Sequence, residues 1–74
     1  MSQSASINWR RVITDLVYAG YSCSAIAVTV GVSKSAVRGW RDGSTPRYDD
    51  GEALIDLWER VTGNGRDSVP RLRR

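Results

Sequence analysis

The sequence predicts an all-α protein, a single small domain of four short helices, or five. Three observations point there. Apolar residues recur at the three- and four-residue spacing that gathers them on one face of a helix. The stripes are preceded by residues able to cap a helix and followed by glycines able to end one. The length of 74 residues, 41% of them hydrophobic, suffices for one small core.

The first helix is expected over residues 8–19. Trp9, Val12, Ile13, Leu16 and Val17 fall at offsets 0, 3, 4, 7 and 8, with Asn8 as N-cap and Gly20 as stop. Residues 22–30 are ambiguous on propensity, because Ile26, Val28, Thr29 and Val30 are β-branched and suit a strand. A short helix is the better reading. Ser22 can cap it, Ala25 and Ala27 favour it, and Ile26, Ala27 and Val30 share a face before Gly31 breaks it. A third helix starts at the N-cap Ser33, turns Ala36, Val37 and Trp40 inward and ends at Gly43. A loop containing Pro46 follows. The last helix is expected over residues 50–62, with Asp49 and Glu52 as a capping-box-like D-x-x-E. Its stripe is Leu54, Leu57, Trp58 and Val61, at offsets 0, 3, 4 and 7, and Gly63 stops it. Each helix is too short to persist alone. The stripes must bury against one another, with Trp9, Trp40 and Trp58 as the bulky pieces. Residues 1–6 read as a disordered lead-in, and residues 63–74, with Gly65, Pro70 and four arginines, as a flexible basic tail.

Composition excludes several chemistries. The one cysteine, Cys23, allows no internal disulfide and points to a reducing compartment. With no histidine and one cysteine, a zinc site and histidine-based catalysis drop out. No apolar run approaches the ~18 residues of a membrane span, and the polar opening lacks the apolar stretch of a secretory signal. There is no acid–base pair, nucleophile–base pair or phosphate loop, so neither an enzyme nor a cofactor is expected. Asp49 and Asp50 are explained by capping and the helix dipole.

Charge is segregated along the chain. Residues 1–48 carry Arg10, Arg11, Lys34, Arg38, Arg41 and Arg47 against Asp15 and Asp42, a balance of +4. Residues 49–62 carry Asp49, Asp50, Glu52, Asp56 and Glu59 against Arg60, a balance of −4. Residues 63–74 return to +3, with Arg66, Arg71, Arg73 and Arg74 against Asp67. A polyanion should meet the first two-thirds of the chain, with the acidic segment turned away.

Residues 22–43 read SCSAIAVTVGVSKSAVRGWRDG, and each marked position has a physical role. Ala27 is small where two helices cross closely. Gly31 can take the left-handed backbone angle of a tight turn. Val32 plugs the angle between the helices, and Ser33 caps the second. Val37 and Trp40 turn inward. This pattern resembles the helix-turn-helix of phage repressor and Cro-type regulators, with a lambda-repressor-like fold. The likeness covers about residues 7–62. Ile7-Asn8-Trp9, Val12-Ile13, Asp15-Leu16 and Ala19-Gly20 look like the family's first helix, and Gly43 through Pro46 and Gly51 to Leu54 like its later loop and helix. One departure stands out: Cys23 occupies the position where many members carry a glutamine that orients the recognition helix. Cys23 is read as a small space-filler.

The resemblance implies that the third helix enters the major groove of double-stranded DNA, N-terminus first. With Val37 and Trp40 committed to the core, Lys34, Ser35, Arg38 and Arg41 face outward. Lys34, Ser35 and Arg38 match the family's base-reading positions, and the Arg38 fork suits guanine. Arg41, Thr45, Arg47 and Tyr48 are assigned to phosphates, as are Ser22, Ser24 and Ser33 at helix starts and Arg10 and Arg11 on the first helix. Gly39 weakens its helix without an obvious packing gain, which suggests a close approach. Two half-sites imply a homodimer. Ile55 and Trp58 on the last helix are its expected interface, with Tyr18 and Tyr21 as further candidates.

The resulting expectation is a cytoplasmic transcriptional regulator of a bacterial host, phage or prophage in type, on a palindromic operator. No membrane, metal or small-molecule ligand is expected. Two alternatives keep the same fold. One is a DNA-handling accessory factor in packaging or recombination, which would bind a non-promoter site. The other is a protein-interaction module such as an antirepressor, against which the basic outward face argues.

Overall fold

The computed structural model describes residues 6–72. Four α-helices follow in order: α1 Trp9–Tyr18, α2 Cys23–Val30, α3 Lys34–Arg41 and α4 Tyr48–Thr62. A short 3-10 turn, Arg66–Ser68, comes after them. The extended pairing among the described residues is a single antiparallel bridge between Ile7 and Arg71. The domain is therefore all-α, as expected.

Local chemistry sets most of the helix ends. The Asn8 side chain accepts the Arg11 N–H at 3.1 Å, Ser22 the Ala25 N–H at 3.0 Å and Ser33 the Ala36 N–H at 3.1 Å. Gly20, Gly31, Gly43 and Gly63 follow the four helices, all at positive φ. Gly31 matters most for the site. At φ 89° it lets the Val32 N–H return to the Ala27 carbonyl at 2.9 Å, which closes α2. Val32 packs against the core, and Ser33 caps α3 immediately afterwards. The first turn of α4 differs from expectation. The helix begins at Tyr48, and Arg47 takes the N-cap position without a side-chain capping bond. Asp49 and Asp50 lie inside the first turn, where negative charge opposes the positive end of the helix dipole.

The core takes a stripe from each helix and is completed by Ile55 and Val69. Val12, Ile13, Leu16, Ile26, Val37 and Leu54 are fully buried, and Ala27, Trp40 and Leu57 nearly so. Val17, expected in the α1 stripe, is 46% exposed. It lies about 40° further round the helix than Ile13, at the stripe's edge. The chain bends by 111° between α1 and α2. No single helix among the described residues is long and apolar enough to cross a membrane.

Two expectations are corrected in α4 and beyond. Ile55 and Trp58, expected at a dimer interface, are core residues, 3% and 2% exposed. Ile55 shares a groove with Ile7, Trp9 and Pro46, so a second side of α4 is covered. Trp58 donates its indole N–H to the Asp15 carboxylate at 3.0 Å, which ties α4 to α1. Gly51 makes room here: a Cβ at this buried position would come within 3.1 Å of the Trp9 ring.

The second correction is the tail. Residues 66–72 are packed, not free. Val69 is buried in the core. The Asn8 N–H donates to the Pro70 carbonyl at 2.9 Å and the Leu72 N–H to the Ser6 carbonyl at 2.7 Å. Arg66 forks onto Glu52 at 2.9 and 3.2 Å and reaches Asp56 at 3.6 Å. The hydrogen-bonded Glu52 carboxylate raises the Arg66 pKa above its usual value. The chain thus neutralises part of its own acidic helix. Of the lead-in 1–6 expected to be disordered, Ser6 is held by the Leu72 N–H, and residues 1–5, like Arg73 and Arg74, lie outside the described residues.

Candidate nucleic-acid interface

α3 packs against α1 on one side and α2 on the other. Ala36, Val37 and Trp40 point into that wedge. At 100° per residue, the opposite arc holds Arg41, Lys34, Arg38 and Ser35 within about 120°. All four are exposed. The three residues assigned to base reading therefore share one open face, as the sequence requires.

Pairing separates the cations into two groups. Among the described residues, Lys34, Arg38 and Arg47 take part in no ion pair or side-chain hydrogen bond. Arg60 on α4 shares that state. The others are engaged within the chain. Arg11 donates to Asp15 at 3.0 Å, a pair four residues apart on α1. Arg10 reaches the Asp42 carbonyl at 3.4 Å, where it meets the negative end of the α3 dipole. Arg41 stands 3.7 Å from the Asp42 carboxylate and 4.0 Å from the Cys23 sulfur. A guanidinium with two such long contacts keeps other N–H groups free to donate.

The remaining phosphate candidates fall in three places. Arg41 brings the end of α3 against the start of α2, where Ser22 and Ser24 are exposed. The Ser22 and Ser33 oxygens accept backbone N–H groups as caps, which leaves each hydroxyl proton free to donate. Arg10 and Thr45 line one cleft together with Gly43, Ser6, Asn8 and Leu72. Arg47 and Tyr48 line a second groove with Trp9 and Ile55. Of the further self-contact candidates, Tyr18 is 88% exposed, whereas Tyr21 packs in part against the core.

Cys23 is half-buried beside the core, consistent with a space-filler. Among the described residues no group of three His, Cys, Asp or Glu side chains could hold a metal ion. Sequence reasoning missed Asp42 as a partner for Arg10 and Arg41. The signal was available for Arg41, its chain neighbour, but not for Arg10, which is distant in sequence. No family model, curated protein or solved structure matches the chain.

Proposed function

We propose that this chain is a sequence-specific double-stranded-DNA-binding transcriptional regulator, of the repressor or Cro kind, phage or prophage in type, acting in the cytoplasm of a bacterial host. One observation carries the reading. α3 presents Lys34, Ser35 and Arg38 on a single exposed face, with both cations unpaired among the described residues. An arginine free to turn its fork toward a base edge discriminates guanine by roughly 1–3 kcal/mol, whereas a cation already paired must first break that pair. Arg10 and Arg41 flank the face and suit backbone phosphates.

Specificity over a genome calls for two half-sites and so for a homodimer. With Ile55 and Trp58 in the core, the contact between copies lies elsewhere, and Tyr18 is the exposed aromatic best suited to it. Selection of bound sequences from a random duplex pool tests the reading. The expected product is an inverted repeat with half-sites about one helical turn apart. A pool retained at low salt without enrichment, and released at higher salt, would reduce the chain to non-specific phosphate attraction.

A further inference from the structure

The outward face of α3 has two rows. Lys34, Arg38 and Arg41 form a cationic ridge. Beside it stands the exposed Ser35, and one turn on, at the edge of the face, the half-buried Gly39, against which Ser44 folds back through its N–H bond to the Gly39 carbonyl at 2.9 Å. This second row is made of small side chains only.

Gly39 has no structural reason to be glycine. It lies inside α3 with ordinary helical backbone, not among the positive-φ glycines. A Cβ built there meets only the Ser44 oxygen at 3.6 Å and the Ser44 Cβ at 3.8 Å, ordinary contact distances. Gly51 is the contrast, because its Cβ would press on Trp9 at 3.1 Å. Glycine inside a helix is less favourable than alanine. The fold would accept alanine at residue 39 and gain from it, so no contact among the described residues calls for glycine.

We infer that Gly39 is the point of closest approach between α3 and its DNA. This rests on the DNA-binding reading above and deepens it. The missing side chain sets how far α3 enters the groove, while Lys34 and Arg38 supply the charge and the base contacts. Depth then determines whether the Arg38 fork reaches a base edge, so Gly39 is a positioning residue for Arg38.

The test compares Gly39→Ala with the wild type, using a duplex the wild type selects from a random pool. Thermal melting and salt-dependent affinity are both measured. The expected result is a melting temperature equal to or above wild type, with affinity roughly tenfold lower. The slope of affinity against salt should be unchanged, because no charge is removed. Adding Ser44→Ala, which removes the nearest atom in the chain, should not restore binding. Equal affinity for Gly39→Ala and wild type overturns the inference. So does recovery with Ser44→Ala, since the loss would then come from a displaced loop. So does a lower melting temperature, which would show that the fold demands glycine. Failure of the wild type itself to select any sequence removes the DNA reading instead.

Discussion

α3 and α4 are both charged helices in the same small core, and they treat their charge in opposite ways. α4 carries the acidic run, and the chain answers two of its carboxylates from within. Arg66 returns from the C-terminal segment to Glu52 and Asp56, and Val69 enters the core beside it. α3 carries Lys34 and Arg38, and no described residue answers them. Charge closed within the chain serves the fold. Charge left open on a helix backed by the core is available to a partner. The total of +3 conceals this division, because it sums a partly neutralised surface with an open one.

The comparison can be sharpened by substitution. The largest effect is expected at Trp58, which fills the core and holds Asp15. Trp58→Ala should lower stability by about 3–5 kcal/mol, with a denaturation midpoint independent of protein concentration. A concentration-dependent midpoint in the wild type, abolished by this change, would return Trp58 to an interface. Val69→Ala comes next, at about 2 kcal/mol, because the valine is buried in the same core. Chemical denaturation reads this directly, and an unchanged midpoint would make the C-terminal segment dispensable. On the other surface, Arg38→Ala should leave stability within about 0.5 kcal/mol of wild type. It should weaken binding to a selected duplex by roughly 1–3 kcal/mol and blur one base position in each half-site. The smallest effect belongs to Arg66→Gln. Its fork is exposed and screened, so melting should fall slightly at low salt and scarcely at all at high salt.

The helices were legible because their determinants are local. Asn8, Ser22 and Ser33 cap within three residues, and Gly20, Gly31, Gly43 and Gly63 stop the helices they follow. The C-terminal segment was not legible. Val69 stands alone among glycine, proline and arginine and forms no periodic stripe. Its place depends on Glu52 and Asn8, far away in sequence. Ile55 failed for a related reason. One stripe per helix assumes one covered side, and α4 has a second, closed by Ile7, Trp9 and Pro46. At the site, the exposure of Lys34, Ser35 and Arg38 followed from committing Val37 and Trp40 to the core. Pairing of the cations followed from sequence only where it was local, as in Arg11 with Asp15.

The most direct test sets two double variants side by side on a selected duplex. Lys34→Ala with Arg38→Ala removes two charges from the open face of α3, and Arg60→Gln with Arg66→Gln removes two that sit on or against the acidic α4, each from the same net +3. Both variants end with equal net charge, so general attraction to a polyanion is matched. The first should lose sequence preference and most of its affinity, while the second stays near wild type at moderate salt. Equal losses in the two would contradict the account, because binding would then follow total charge and not the open face of α3.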